Sequence, residues 1–224
     1  MEASLTVVYT HRLRGDLALL PRLYSFIRQL RAHYSEEAVT LCPLDPAPAN
    51  PTGKILLLDL GESCAPDLWH CAVTGGRSTL VVLDSMGYDA ANVTGFFAPE
   101  SREKMGDMLR IALVDDEHRY ETDDLVIAIE HRRGVPLNVP TQNRITVILD
   151  SSDITRFEHN ILSLAGIEGG QIGVARICTK KIPYELEEHT IFDLPRQMQP
   201  DPTIAGIVDF VISEARHTQK RQQT

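Results

Sequence analysis

The chain lacks the features that would place it in a membrane or against a polyanion. No run of eighteen apolar residues occurs in its 224 residues, so a membrane-spanning helix is not expected. The opening "MEASLTVVYTHR" has no basic segment ahead of a long apolar stretch, so the expectation is a cytoplasmic protein without a secretory leader. Lys and Arg number 22 against 31 Asp and Glu, and the formal charge of -9 argues against a nucleic-acid partner, whose phosphates are held mainly by basic side chains. The four cysteines, Cys42, Cys64, Cys71 and Cys178, show no CxxC spacing, which argues against a zinc ribbon or dithiol redox motif. Free, mostly buried thiols are expected instead. No internal repeat is present. With 43% hydrophobic residues the chain can bury a sizeable core, and the expected organisation is one domain over residues 1–217 followed by a polar tail, 218–224.

The local patterns alternate strand and helix. Leu5 to Tyr9 is an apolar strand that runs into a loop ending at Gly15. Pro21 then suits the first turn of a helix carrying Leu23, Phe26, Ile27, Leu30 and Tyr34 on one face. The proline-rich "CPLDPAPANPTG" reads as a loop, and the apolar run from Ile55 to Leu60 as a strand covered on both faces, stopping at Gly61 with Glu62 at its carboxyl end. "GGRSTLVVLDSMGYDAANV" predicts a helix ending near Gly87, a turn and a short strand to Val93. "REKMGDMLRIALV" reads as a hairpin about Gly106 and Asp107. "DLVIAIEH", "RITVILDSSD" and "GGQIGVARICTKKIPYEL" supply further strands. Asp201 and Pro202 open a helix with an apolar stripe of Ile204, Ile207, Val208, Val211 and Ile212, and "HTQKRQQT" is expected to fray. The fold class is α/β with a mixed sheet.

The first loop sits where an α/β enzyme presents its chemistry, yet it offers Arg12 and Arg14, which cannot ligate a metal or act as bases near neutral pH. An anion-binding pocket, solvated arginines, or a bridge to Glu62 all fit that composition. The glycines of "TGGRS" read as a helix-start turn rather than a phosphate loop, because Gly75 and Gly76 match no nucleotide-binding spacing. His70 and Cys71 are adjacent but give no nucleophile and base geometry.

The order of these motifs resembles the calcineurin-like metallophosphoesterases, most closely the catalytic domain of the 5'-nucleotidase and UDP-sugar hydrolase branch. "VVYTHRLRGDLALLPRLYSFIRQLR" resembles that family's first strand, Asp-x-His-Gly loop and helix. "LLLDLGES" resembles its Gly-Asp strand, and "LDSMGYDAANVTGFF" its Gly-Tyr-Asp turn and Gly-Asn-His-Glu loop. "DLVIAIEHRRG" is similar to the strand delivering a single histidine, and "ITVILDSSDI" to the Gly-Gly-His-x-His strand. The resemblance runs from Leu5 to near Arg216 and is weakest between Pro99 and Thr122, where this chain is shorter.

The resemblance implies a sandwich of two mixed β-sheets flanked by helices, and two divalent metals that generate a hydroxide and clamp a phosphate. Most of the implied ligands are replaced. The first loop's Asp and His fall on Arg12 and Arg14, and the second loop's Asp falls on Glu62. The third loop's Asn and His fall on Gly95 and Phe96, and the final His-x-His pair on Ser152 and Ile154. Of the later histidines only His131 persists, beside Arg132 and Arg133, as a surviving ligand, a general acid or a surface residue; Glu62 and His131 could each ligate a metal, but two ligands from distant loops do not make a two-metal site. Phe96 and Phe97 either fill the volume of the missing metals or form a partner patch.

The sequence-level expectation is therefore a pseudoenzyme without metal cofactor, acting through a protein partner or a small anion held by Arg12 and Arg14. The alternative is a weak or divergent metal-dependent phosphoesterase. The nucleotidases it resembles recognise the nucleoside with a further C-terminal domain, and the expectation from the sequence, read to Thr224 just after the last helix, is that nucleotide specificity has no visible basis here.

Overall fold

The computed structural model describes residues 4–40, 53–65, 67–95, 99–129, 144–180 and 182–223. Strand β1 (Ser4–Thr10) pairs in parallel with β2 (Gly53–Asp59), which pairs in parallel with β3 (Ala90–Asn92) and through it with β4 (Ala112–Val114). On its other side β1 pairs antiparallel with β10 (Gln171–Cys178), and β10 with β11 (Glu185–Asp193), giving the order β11-β10-β1-β2-β3-β4. The second sheet is built from β5 (Tyr120–Glu121), β6 (Leu125–Ala128), β7 (Ile145–Ser152), β8 (Arg156–Glu158) and β9 (Ile161–Ala165), in the order β5-β6-β7-β9-β8. Both sheets are mixed, as the sequence pattern implies.

Strand β1 reads as an unbroken apolar run because both of its faces are covered. Val7 and Tyr9 point into the layer between the sheets, with Leu56 and Leu58 beside them and Ile127, Val147 and Leu162 opposite. Val8 and Leu57 point the other way, against Leu23 and Ile27 of α1 (Leu20–Thr40), Leu80 and Leu83 of α3 (Arg77–Ser85), and Ile204 and Val208 of α5 (Pro202–Gln222). Helix dominates one side of the first sheet, and the second sheet closes the other.

The helix α5 begins as the sequence predicts. Asp201 accepts hydrogen bonds from the backbone N–H of Thr203 (2.9 Å) and Ile204 (3.1 Å), and Arg28 donates to its other oxygen at 3.2 Å. Replacing Asp201 by alanine is expected to cost about 1–2 kcal/mol in urea denaturation, the usual range for a lost cap. Asparagine should restore most of it, because Arg28 is 64% exposed and its ion pair is worth little.

Three expectations are corrected, and one short helix is added. The segment expected as a hairpin about Gly106 and Asp107 is a helix, α4 (Pro99–Met108), followed by β4. Its inward face is anchored: Met105 is buried, and Arg102 donates to Asp115 at 2.5 Å and to the Leu113 carbonyl at 2.6 Å, while Gly106 faces open space. Asp84 then accepts from the N–H groups of Arg110 and Ile111 and turns the chain into β4, so only three residues of "MLRIALV" are strand. Second, Cys64 and Cys71 are not free thiols but form a disulfide with Cα atoms 6.0 Å apart. Cys178 is free. The disulfide enters an additional short helix, α2 (Trp69–Thr74), which Gly75 closes, and Gly76 opens α3 as the helix-start turn the sequence suggests. Third, the polar residues from His217 onward are helical rather than an irregular tail, since α5 continues to Gln222. The proline-rich loop over 42–52, Cys42, Phe96, Phe97 and His131 to Arg133 lie outside the described residues.

Candidate functional site

The carboxyl ends of β1 and β2 carry two loops that are joined through their backbones. The parallel pairing continues past the strands: the Leu60 N–H donates to the Thr10 carbonyl at 2.9 Å, Arg12 N–H to Gly61 at 3.1 Å, Arg14 N–H to Glu62 at 2.8 Å and Gly15 N–H to Ser63 at 2.8 Å. Three non-glycine residues in these loops adopt the left-handed region, Arg12 (φ 55°), Arg14 (φ 48°) and Glu62 (φ 53°). Such backbone costs of order 1 kcal/mol or more per residue and gathers at functional sites, where neighbouring contacts over-determine it. Here those contacts are the cross-loop hydrogen bonds.

The charged side chains form one network. The Arg12 guanidinium lies 3.5 Å from Glu62 and donates to Glu168 at 2.8 Å, and Arg14 lies 3.8 Å from the second Glu62 oxygen. The expected bridge across the two strand ends is present, but it is open to solvent: Arg14 is 62% and Glu62 52% exposed. Its contribution to stability is therefore small, and the large loss expected of a partly buried pair does not apply. The hydrogen bond from Arg12 to Glu168, followed by the charge of Glu62, holds the guanidinium still more firmly protonated.

His11 carries no signal in the sequence that singles it out. It is 2% exposed, with Nε2 3.8 Å from Glu62. Burial first, and then the Arg12 charge, lower its pKa against the opposing pull of Glu62, Glu168 and the Ile167 backbone. The imidazole is accordingly neutral near pH 7, and two cations face two carboxylates. Gly169 lets the Glu168 loop approach, since a Cβ there would stand 2.6 Å from the Arg12 carbonyl oxygen.

Beneath the loops lies a second carboxyl group, which the sequence hides inside an apolar run. Asp59 is fully buried, accepting from Thr10 Oγ1 at 3.2 Å, from Gly61 N–H at 3.1 Å and from the Ser63 hydroxyl. Thr10 in turn pairs with the Tyr88 hydroxyl at 3.0 Å. Burial pushes the Asp59 pKa up to about 7 against the opposing effect of Ser63, Thr10 and Gly61. Asn92, at the end of β3, donates to the carbonyls of Leu60 and Leu149, both at 3.1 Å, and so ties the two sheets together below Gly61.

The remaining positions do not join the network. Gly95 occupies a turn with φ 72° and open space around it. The Ser152 hydroxyl donates to the carbonyls of Ile154 (2.7 Å) and Leu164 (2.9 Å), and Ile154 is 51% exposed. Two divalent cations need convergent carboxylates and imidazoles, yet among the described residues no group of three or more His, Cys, Asp or Glu side chains is arranged to hold a metal ion. Glu62 faces guanidiniums, and Asp59 is turned inward onto hydroxyl and backbone donors. The described donor set does not fit a metal pair.

No protein-family model and no curated relative matches the chain. Among solved structures, the crystal structure of the calcineurin-like phosphoesterase YfkN from Bacillus subtilis is similar over 98% of this chain and 100% of that one, with a TM-score of 0.56 and 10% sequence identity. At that identity the likeness establishes the fold alone: two mixed sheets flanked by helices in the calcineurin-like phosphoesterase arrangement. Among the described residues no helix is long and apolar enough to cross a membrane.

Proposed function

We propose that the protein is a non-catalytic relative of the 5'-nucleotidase branch of the calcineurin-like phosphoesterases, which binds a small oxyanion on Arg12 and Arg14. The observation that carries this reading is the ion network at the strand ends. Arg12 and Arg14 both face the Glu62 carboxylate, and the sequence resemblance puts the two arginines at the family's first-loop metal ligands and Glu62 at its second-loop one. A guanidinium fork suits phosphate and sulfate, and it neither generates nor holds a metal hydroxide. Glu62 then acts as an internal competitor that an incoming anion displaces.

Calorimetric titration with inorganic phosphate and with sulfate tests the reading. The wild type should bind weakly, and Glu62→Ala should bind about fivefold tighter, because a competing exposed ion pair worth up to about 1 kcal/mol is removed. Arg12→Ala combined with Arg14→Ala should abolish binding. Absence of phosphate and sulfate binding in the wild type and in Glu62→Ala alike would overturn it. In parallel, a chromogenic phosphate ester and several nucleotides should show background turnover with manganese, magnesium or zinc. Metal-dependent turnover lost in Glu62→Ala or His131→Ala would instead establish a divergent hydrolase.

A further inference from the structure

The Cys64–Cys71 disulfide lies directly under the strand-end loops. Cys64 follows Glu62 and Ser63, so one end of the cross-link is continuous with the β2 loop. The other end lies on α2, a six-residue helix whose N-cap residue, Leu68, makes no side-chain cap hydrogen bond. A helix this short has little stability of its own. The β1 loop rests on this unit: a Cβ on Gly15 would stand 2.9 Å from the Cys71 sulfur and 2.9 Å from Leu68, and His70 Nε2 pairs with the Gly15 carbonyl at 3.0 Å. Ser78 holds the other His70 nitrogen at 2.9 Å, and Thr79 donates to the Cys64 sulfur at 3.5 Å. The contacts that fix Gly15 from below thus pass through α2 or through Ser63.

We infer that the Cys64–Cys71 disulfide is a redox latch that holds the Arg12–Gly15 and Gly61–Cys64 loops in their closed arrangement, and that its reduction by a dithiol releases α2 and both loops. In the reduction a dithiol thiolate attacks one cystine sulfur and expels the other as thiolate. The second thiol of the reductant then closes on the mixed disulfide. One cystine and one dithiol become two cysteine thiols and one cyclic disulfide, with two electrons and two protons passing from the reductant to the protein. The location gives the latch its consequence: the strained residues Arg12, Arg14 and Glu62 stay in place only while the loops are zipped together. That reduction also weakens oxyanion binding rests on the function proposed above; the release of the loops does not.

The test uses the 224-residue chain with and without dithiothreitol. Thiol titration of the unfolded, unreduced protein should leave two of the four cysteines unreactive, and peptide mapping should join Cys64 to Cys71. On reduction, amide exchange in 11–16 and 61–74 should speed up about tenfold or more, the signature of local opening, while β10 and α5 stay unchanged. The single tryptophan, Trp69, two residues from Cys71, should change its emission. Cys64→Ser combined with Cys71→Ser should reproduce the reduced pattern and ignore dithiothreitol. Unjoined cysteines, or exchange in both segments that is the same before and after reduction, would overturn the latch. Faster loop exchange without phosphate binding in either state would support the latch and remove the anion reading.

Discussion

Replacing Gly173 by valine is expected to prevent accumulation of the folded protein, and Gly173→Ala to lower its stability by about 3 kcal/mol or more, the upper end for overpacking a core. Gly173 pairs with Tyr9 across β10 and β1, and a Cβ there would collide with Cζ, Cε1 and the hydroxyl oxygen of the Tyr9 ring. The ring has no way out. Tyr9 is fully buried, lies nearly parallel to His189 with ring centroids 6.2 Å apart, and its hydroxyl pairs with His189 Nε2 at 2.9 Å. Burial also pushes the Tyr9 pKa up to about 12, so deprotonation offers no relief at ordinary pH. Urea denaturation followed by near-ultraviolet circular dichroism reads the loss. Tyr9→Leu should cost less on a Gly173→Ala background than on the wild type, because the two changes share one space. Equal costs on both backgrounds would contradict the packing argument.

The second large effect is expected at Asp59. Alanine there leaves the Gly61 N–H and the Thr10 and Ser63 hydroxyls without their acceptor in a buried place, and should cost about 3 kcal/mol. Asparagine behaves differently. The folded carboxyl has a pKa of about 7 against an ordinary 3.8, so the folded state holds a proton that the unfolded chain has released between those values. Stability from this group is therefore fully present below about pH 4 and is lost as pH rises toward 7. A carboxamide at this position mimics the protonated acid, with its amide donating toward Thr10, whose hydroxyl can turn to Tyr88. Asp59→Asn should thus match the wild type below about pH 4, exceed it by a margin that grows as pH rises to 7 and then levels off, and remove the wild-type decline between those values. Parallel stability curves for the two proteins from pH 4 to 8 would contradict a carboxyl group protonated by burial.

What is legible in the sequence is the part governed by periodicity and chain punctuation. Val7, Val8 and Tyr9, and Leu56 to Leu58, read as buried strands because both faces of the first sheet are covered, and the Asp201-Pro202 start of α5 carries its own cap. Gly106 misleads: a glycine between two apolar runs suggests a turn, but the contacts of Arg102 with Asp115 and Leu113 fix a helix instead. The disulfide leaves no signature, since two cysteines seven apart match no motif and become neighbours only when α2 folds back on the β2 loop. The candidate site is half legible. Arg12, Arg14 and Glu62 stand out at strand ends, whereas Glu168 reaches Arg12 from 156 residues away and Asp59 is hidden within its apolar run. No residue pattern announces that two arginines and a glutamate take left-handed backbone.

The central claim of the proposed function is that guanidinium–carboxylate pairs stand at the strand ends in place of a metal centre. Dialysis of the wild type against a chelator-free buffer containing manganese, followed by metal quantification by mass spectrometry, tests it most directly. The account predicts far less than one ion per chain, unchanged in Glu62→Ala, because Arg12 and Arg14 oppose a cation beside the carboxylate they face in common. A content near two ions per chain that falls in Glu62→Ala would contradict it.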